Sequence, residues 1–171
     1  GRDSALFRSY IAGLARLLPQ FCPLFAPNVN SFRRMRPDTD APINVQWGSD
    51  NRSCGLRIPI SDSKNRRIEN RLPGADANPY LSIAASLICG YIGMVERMIP
   101  AKAITGSAYN RARTLPRTLE AALDRFSACK PVRNLIGEEF FDIFYAIKDY
   151  ELFNYQSVVS SWEREHLLLR V

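Results

Sequence analysis

The sequence predicts an α+β fold, because three short segments of alternating polarity lie between segments whose apolar residues recur at helical spacing. Its 171 residues are enough for one sizeable domain or for part of a larger one. Apolar residues make up 46% of the chain and charged residues 23%, a composition typical of globular proteins and not of disordered ones. We therefore expect a packed core.

The first predicted element is a helix over Ser4 to Leu18, where apolar residues are spaced for one helical face and Pro19 ends the pattern. The following segment, Pro23 to Pro42, is rich in proline, asparagine and aspartate. Such a composition indicates a loop. The chain starts without an obvious cap or preceding strand, so we expect it to be a piece of something longer.

Three strands are predicted next. Ile43 to Trp47 alternates apolar and polar residues, and Cys54 to Ile60 does the same, with its four apolar residues on one face. After a polar turn at Ser61 to Asn65, Arg67 to Leu72 alternates again. On the second strand, Arg57 is flanked on its own face by small residues, which leaves room for a ligand.

The remaining chain predicts helices. Asn78 and Pro79 are a strong helix start, since asparagine caps well and proline suits the first helical position; this helix extends to about Met98. Thr118 is the expected cap of a short helix that runs to about Ala128. A long helix starts near Glu138 and places five large apolar residues on one face: Phe140, Ile143, Phe144, Ile147 and Tyr150.

The most apolar run, Pro79 to Ile99, contains serines, glycines, Glu96 and Arg97. We interpret it as a buried helix and predict no membrane partner. The start of the chain shows no secretory signal, and the four cysteines form no CxxC pair, so free buried thiols and a cytoplasmic location are expected.

Positive charge is concentrated between Arg33 and Arg71, where nine basic residues stand against five acidic ones. Such a cluster suggests an anionic partner. Residues i and i+2 of a strand share a face, so Arg67, Glu69 and Arg71 point the same way while Arg66 points away. Two arginines with a carboxylate between them suit a polyphosphate and its divalent ion.

Two other interpretations of this basic segment stay open. It could be the solvated face of a two-stranded ribbon, in which Glu69 only neutralises its neighbours. It could also bind nucleic acid, because Phe32 and Trp47 lie nearby, but no nucleic-acid-binding motif is present and we predict no such partner. If the second and third strands pair as a hairpin, Arg52 and Arg57 converge with the other arginines, which weakens the ribbon interpretation.

Six motifs together resemble the C-terminal catalytic part of the glutamine synthetase family, in its order and spacing. The match covers about residues 4 to 100 well and the later helices more loosely. The stretch ADANPYL and the tail around FDIFYAIKDYEL look closer to the bacterial gamma-glutamylpolyamine synthetase branch. The motifs are Asn30–Pro37 (NSFRRMRP), Ala41-Pro42, Asn51-Arg52-Ser53, Leu56–Pro59 (LRIP), Arg67–Arg71 (RIENR) and Ala77–Tyr80 (ANPY).

The resemblance implies that residues 1–171 are the C-terminal portion of one catalytic domain, built on a curved, mainly antiparallel sheet backed by helices. It implies an ATP-dependent carbon–nitrogen ligase in which glutamate is phosphorylated on its side chain and ammonia, an amine or a polyamine displaces the phosphate. ATP and Mg²⁺ or Mn²⁺ are the implied cofactors. A homo-oligomer of the double-ring type is the implied assembly.

The resemblance also assigns roles to residues at the nucleotide end of the site. Arg52 and Arg57 would bind the ATP phosphates and the transferred phosphoryl group, and Arg52 is accordingly a catalytic candidate. Lys64 and Arg67 would help to hold the nucleotide. Glu69 would be a ligand of the metal that bridges the phosphates.

At the substrate end, Arg34 would hold the α-carboxylate of glutamate, and Arg71 would contact the transferring phosphate and the glutamate side chain. Asp40 stands where the family has a glutamate that helps to deprotonate the bound ammonium. Aspartate keeps the charge but is one methylene shorter, so ammonia as acceptor is in question. The family's other metal ligands lie upstream of Gly1 and His166 matches no motif, so we expect this segment alone to be inactive. A catalytically inactive regulatory or assembly subunit is the alternative.

Overall fold

The computed structural model describes residues 3–37 and 39–170, and within them it contains seven α-helices and three short strands. Single 3₁₀ segments lie at Val29–Arg34 and Ala108–Asn110. The α+β prediction is thereby confirmed. In chain order the elements are α1 (Ala5–Leu17), α2 (Cys22–Phe25), β1 (Trp47–Ser49), β2 (Leu56–Ile58), β3 (Glu69–Asn70), α3 (Pro79–Val95), α4 (Leu119–Ser127), α5 (Lys130–Ile136), α6 (Glu138–Gln156) and α7 (Ser161–Leu167).

The strands form one small mixed sheet in the order β1-β2-β3. β2 and β3 are antiparallel, with Arg57 opposite Glu69, so these two strands do pair as the hairpin that the sequence left open. β1 and β2 are parallel, with Gly48 opposite Arg57, so this part of the sheet is not mainly antiparallel as expected. The return from β1 to β2 takes only residues 50–55, which suffices because a three-residue strand is about 10 Å long.

The first strand lies two to four residues later than the sequence indicated. Residues 43–46, predicted as a strand, instead bond to the segment at 108–115. The amides of Thr114 and Leu115 donate to the carbonyl of Ile43, and the fully buried Asn44 donates its side-chain amide to the carbonyl of Ala108 at 2.8 Å. The alternating pattern therefore predicted a strand wrongly here. These residues bond to the segment at 108–115, in part through the side chain of Asn44.

The other two strands are shorter than predicted. In β2, Leu56 and Ile58 are buried in the core, as alternation required, and Cys54 is buried with them. Ile60 was expected on the same face but is 78% exposed, because the chain leaves the sheet after Ile58. Arg67 precedes β3 and lies outside the sheet.

Helices α1 and α3 cross at a contact that only glycine allows. A Cβ on Gly93 would lie 2.2 Å from the carbonyl oxygen of Ser9 and 2.7 Å from the Cα of Gly13. A Cβ on Gly13 would lie 2.2 Å from the carbonyl oxygen of Cys89. Both distances are far below van der Waals contact, so the two backbones approach until they touch, and α1 and α3 form the largest helix contact around the core.

The ends of α3 agree closely with the prediction. The side chain of Asn78 accepts hydrogen bonds from the amides of Tyr80 and Leu81, at 3.0 and 3.3 Å, and Pro79 occupies the first turn. At the other end Arg97 has a φ of 51°, and the amide of Met98 donates to the carbonyl of Gly93. This left-handed cap ends the helix before Pro100.

Helices α4 and α6 pack through aromatic rings. The face of α6 that makes this contact is not the one that the apolar spacing of the sequence predicted. Phe126 of α4 stacks on Phe141 of α6 with centroids 4.7 Å apart and meets Phe144 edge-on at 5.6 Å. Of the five apolar residues predicted to share a face, Phe144 is buried, whereas Ile143 and Tyr150 are 55% and 66% exposed. The helix is thus turned so that an apolar stripe faces outward.

Cys22, Cys54 and Cys89 are buried free thiols, as expected, whereas Cys129 is only partly buried and is likewise not in a disulfide. Burial raises the pKa of Cys22 to about 12 and that of Cys54 to about 11, so both stay protonated at neutral pH. Across the described residues, none of the helices combines the length and the apolar character needed to cross a membrane.

Gly93→Ala tests the close crossing of α1 and α3. We expect the free energy of unfolding to fall by about 1–3 kcal/mol, because the new methyl group overlaps backbone atoms that cannot move independently. Helix propensity alone predicts the opposite sign, a gain of about 1 kcal/mol. Urea unfolding followed by circular dichroism measures the change. Ile83→Ala, on the exposed face of α3, is the matched control and should shift stability by about 0.5 kcal/mol or less.

Candidate active site

The centre of the candidate site is Arg57, which β2 holds on the face opposite the core. Leu56 and Ile58, on either side of it in sequence, are almost completely buried. Because successive side chains of a strand point to opposite faces, Arg57 must lie on the outer face of the sheet. Its register partners there are Gly48 in β1, which has no side chain, and Glu69 in β3.

Two carboxylates hold the guanidinium of Arg57. Its Nε and Nη2 donate to Oδ1 of Asp50 at 3.0 and 2.5 Å, and its Nη1 donates to Oε2 of Glu69 at 2.7 Å. The hydrogen bonds to Asp50 first, and then those to Glu69, raise the pKa of Arg57. Arginine is charged at neutral pH in any case, and these contacts favour its charged form further.

Glu69 is shared between two arginines. Its second oxygen, Oε1, accepts from Nη1 of Arg71 at 3.1 Å, so the carboxylate bridges Arg57 and Arg71. Nη2 of Arg71 in turn donates to the backbone carbonyl of Asp40 at 2.7 Å. We call Arg57, Glu69 and Arg71 the charged row. It connects the sheet to the loop that carries Asp40.

The charged row is not a freely solvated surface. The side chains of Arg57 and Arg71 are only 19% and 14% exposed, and that of Glu69 is 37% exposed. Glu69 neutralises its neighbours, as the ribbon interpretation supposed, but two arginines so enclosed do not fit a solvated face. Asp40 itself is exposed and adopts a φ of 57°, a left-handed conformation that aspartate tolerates better than most residues.

Arg34 lies at the end of the 3₁₀ segment and reaches the chain just after β3. Its Nη2 donates to the carbonyl of Leu72, the residue that follows Arg71. Its Nε is buried and has no acceptor among the described residues, as is also true of Nε of Arg71. Burial lowers the pKa of Arg34, and the nearby charge of Asp76 opposes that effect. The structure thus places a partly desolvated guanidinium with unused donor capacity near the charged row.

Asp76 fixes the loop that approaches Arg34. One of its oxygens accepts from the hydroxyl of Ser31 at 2.5 Å and from the side-chain amide of Asn28 at 3.3 Å. Burial alone would raise the pKa of Asp76, but these two hydrogen bonds and the charge of Arg34 outweigh it, and the pKa is lowered. The loop at 74–77 is therefore tied to the segment that carries Arg34.

The turn that carries Arg52 is held by its neighbours. The side chain of Asn51 donates to the carbonyl of Gly106 at 2.7 Å and accepts from the amide and hydroxyl of Ser53. The hydroxyl of Ser53 also accepts from the amide of Ala108 at 2.7 Å. Arg52, between them, is exposed on a turn of fixed shape, and it is not part of the charged row.

The remaining candidates, Lys64 and Arg67, are exposed on the turn between β2 and β3. Nη1 of Arg67 reaches the carbonyl of Asn65 at 3.4 Å, so the structure does not join Arg67 directly to Glu69. Arg66 turns the other way, as alternation predicted. It pairs with Asp3 at 2.6 Å and lies over the ring of Phe7.

Sequence reasoning missed Asp50 as a member of this site. It contacts Arg57 only because β1 and β2 are parallel with Gly48 beside Arg57. That pairing brings together residues seven apart through a tight return, and no local pattern indicates it. The exposed position of Asp50 after a predicted strand was equally compatible with a simple turn.

Glu69 can supply only part of a metal site. Within residues 3–37 and 39–170, no three histidine, cysteine or acidic side chains lie close enough together to hold a metal ion. A carboxylate has about four lone-pair positions, and the two arginines occupy two of them, so Glu69 retains capacity for a cation. Mg²⁺ prefers six oxygen ligands, so the others must come from phosphates, water or residues outside this chain.

Comparison with known proteins shows the family of this chain. The family model described as "Glutamine synthetase, catalytic domain" matches residues 1–167. The chain is 38% identical to a type-1 glutamine synthetase 2 of Dictyostelium discoideum, over 96% of this chain and 33% of that protein. It is 35% identical to the gamma-glutamylputrescine synthetase of Escherichia coli, over 98% and 36%, and to a glutamate–isopropylamine ligase of a Pseudomonas species, over 95% and 36%. The chain therefore spans about a third of the length of the curated relatives it matches.

Asp76→Asn tests the hydrogen bonds that tie the loop to the segment of Arg34. Because its pKa is lowered in the folded state, Asp76 stabilises the protein above its unfolded pKa, near 4, and this contribution is lost as pH falls through the folded pKa. We expect the variant to be about 1 kcal/mol less stable at pH 7 and the difference to shrink below pH 4. Denaturant unfolding at several pH values measures it. Asp149→Asn, exposed on α6, is the control; a difference that grows in acid contradicts the assignment.

Proposed function

Since this chain belongs to the glutamine synthetase family, we propose that the protein containing it is an ATP-dependent ligase that joins glutamate to ammonia or to an amine. The γ-phosphoryl group of ATP is transferred to the side-chain carboxylate of glutamate, which leaves ADP and a γ-glutamyl phosphate. The nitrogen of the acceptor then attacks the acyl carbon, the bond from that carbon to the phosphate oxygen breaks, and phosphate and a proton are released. The observation that carries the proposal is the charged row within the matched chain.

Arg57 and Arg71 are suited to stabilise the transferring phosphoryl group. Each is an enclosed, permanently charged guanidinium on a rigid sheet, and preorganised positive charge in a partly desolvated site is the main source of catalysis in phosphoryl transfer. Arg52, Lys64 and Arg67 are exposed on the segments before and after β2, where they are proposed to bind the outer phosphates of ATP. These five residues are proposed as the nucleotide side of the site.

Arg34 is proposed to bind the α-carboxylate of glutamate. Its buried Nε has no acceptor within the described part of the chain, and an unsatisfied buried donor costs about 1–3 kcal/mol. The two terminal nitrogens of the guanidinium keep N–H donors besides the one that bonds to Leu72, and these can pair with a bound carboxylate. Arg34 lies beside Leu72, one residue from Arg71, so the glutamate side chain would extend towards the charged row.

Glu69 is proposed as one ligand of Mg²⁺ or Mn²⁺. A divalent ion at this position would withdraw charge from the phosphate oxygens and orient them. Arg57 and Arg71 hold the carboxylate of Glu69 in place, each through one of its two oxygens. Without Glu69, the two arginines would repel each other across the sheet.

Asp40 is proposed to receive a proton from the acceptor nitrogen. Its carboxylate is exposed on the loop whose backbone Arg71 holds, so the group that binds phosphate also positions the group that faces the amine. Aspartate is one methylene shorter than the glutamate usual in the family, which leaves more room for a substituted amine than for ammonia alone. Relatives named for putrescine and isopropylamine are consistent with an amine or polyamine acceptor.

A homo-oligomer is proposed for the intact protein. The exposed faces of α3 and α6 carry more large apolar side chains than a monomeric surface usually shows. The double-ring form, the cytoplasmic location and the place of this chain as the C-terminal portion of its domain stay predictions from the family resemblance.

The ligase proposal is tested with the full-length protein. We expect phosphate release from ATP that depends on glutamate together with ammonium, an alkylamine or a polyamine, and the amide product by mass spectrometry. If none of these acceptors supports phosphate release, the proposal is contradicted. Nucleotide binding without turnover across the whole acceptor panel would instead favour the inactive-subunit alternative.

Glu69→Ala and Arg66→Ala form a matched pair that tests the charged row. Glu69→Ala should lower kcat by about 100-fold or more, because it removes the proposed metal ligand and leaves Arg57 and Arg71 without their shared counter-charge. Arg66→Ala should retain most of the activity, since Arg66 contacts Asp3 and Phe7 instead. Steady-state kinetics on the folded variants measures both values of kcat. Equal losses of kcat in the two variants would show that the charged row has been assigned to the wrong face.

A further inference from the structure

Asp50 makes the closest contact of any carboxylate to Arg57, yet the proposed reaction gives it no role. One oxygen, Oδ1, accepts from Nε at 3.0 Å and from Nη2 at 2.5 Å. Glu69 accepts from Nη1 on another side of the guanidinium. Three of the five N–H donors of Arg57 are thus engaged within residues 3–37 and 39–170, and two remain.

The backbone is shaped to make this contact. The amide of Asp50 donates to the carbonyl of Ile58 at 2.9 Å, which extends the pairing of β1 with β2 by one residue. Asp50 then adopts a φ of 48°, and the chain turns back. Gly48, beside Arg57 in the register, has no side chain to intervene between Arg57 and Asp50.

We propose that Asp50 is a positioning residue that fixes the orientation of the Arg57 guanidinium, so that its two remaining N–H donors point at a phosphate of ATP. The proposal rests on the function proposed above and deepens it. Arginine has a long, flexible side chain and loses rotamer freedom when that side chain is ordered. Because Asp50 and Glu69 already order the side chain of Arg57, binding of the nucleotide does not have to order it. Such preorganisation improves binding and catalysis.

Simple electrostatics makes the opposite prediction, which gives the proposal a sharp test. A second carboxylate beside a polyanion site repels the phosphates, so removing its charge should strengthen ATP binding if Asp50 is only a counter-charge. If Asp50 positions Arg57, removing the charge should weaken ATP binding and slow turnover, because a neutral amide oxygen accepts hydrogen bonds more weakly than a carboxylate and holds the guanidinium less firmly. The sign of the change distinguishes the two roles.

Asp50→Asn is the variant of choice. Asparagine has the same shape and tolerates the left-handed backbone at least as well as aspartate, so the turn should persist. In the full-length protein we expect kcat/KM for ATP to fall about tenfold, while KM for glutamate changes less than twofold. Asp142→Asn is the matched control: it makes the same change in charge and breaks another Asp–Arg pair, at 2.6 Å to Arg133, far from the charged row. It should leave both constants within twofold.

A double-variant cycle shows whether Asp50 acts through Arg57. In an Arg57→Ala background, Asp50→Asn should have no further effect on kcat/KM for ATP, because there is no guanidinium left to position. If instead the two losses multiply, Asp50 acts on something else and the proposal is overturned. A tighter KM for ATP in Asp50→Asn alone overturns it as well.

The orientation of Arg57 can also be measured without catalysis. In the chain labelled with ¹⁵N-arginine, the Nε–H signal of Arg57 should exchange with water at least about tenfold faster in Asp50→Asn than in the parent or in Asp142→Asn. Unchanged exchange overturns the proposal whatever the activity. If exchange is faster in Asp50→Asn but the full-length parent protein makes no amide, the positioning contact is supported and the ligase proposal is overturned instead.

Discussion

The alternation of side chains in β2 is the constraint on which the candidate site depends. Leu56 and Ile58 are anchored in the core, so Arg57 between them can lie only on the outer face. There it meets Asp50, the residue after β1, and Glu69 from β3, so charge as well as backbone hydrogen bonds joins the three strands. Exposed ion pairs contribute little to stability, but these arginines are mostly enclosed, and their value lies in fixed geometry.

The same arrangement connects the parts of the proposed reaction. Glu69 bridges Arg57 and Arg71, and Arg71 holds the backbone of Asp40, so groups proposed to act on phosphate, metal and amine form one continuous set of contacts. A ligase that makes an acyl phosphate must keep water from it until the amine arrives. A loop tied to a phosphate-binding arginine is a physically reasonable way to couple the two events.

The fold was predictable where a residue's neighbours in sequence decide its structure. Asn78 and Pro79 begin α3, and Thr118 caps α4. It was not predictable where distant backbone supplies the partners. Asn44 is buried against the carbonyl of Ala108, which moved β1 along the chain, and the ring of Phe126 selected Phe141 over the more regular stripe of α6.

For the site, the sequence by itself determined which residues carry charge, that Arg57 lies on the strand face opposite Leu56 and Ile58, and which family the motifs resemble. Only the tertiary structure decided that Glu69 is shared by two arginines, that Arg71 binds a backbone carbonyl 31 residues away, and that Asp50 holds Arg57. The physical reason is that strand alternation is a local property of the backbone. The parallel pairing of β1 with β2 depends instead on how the whole chain packs around α1 and α3.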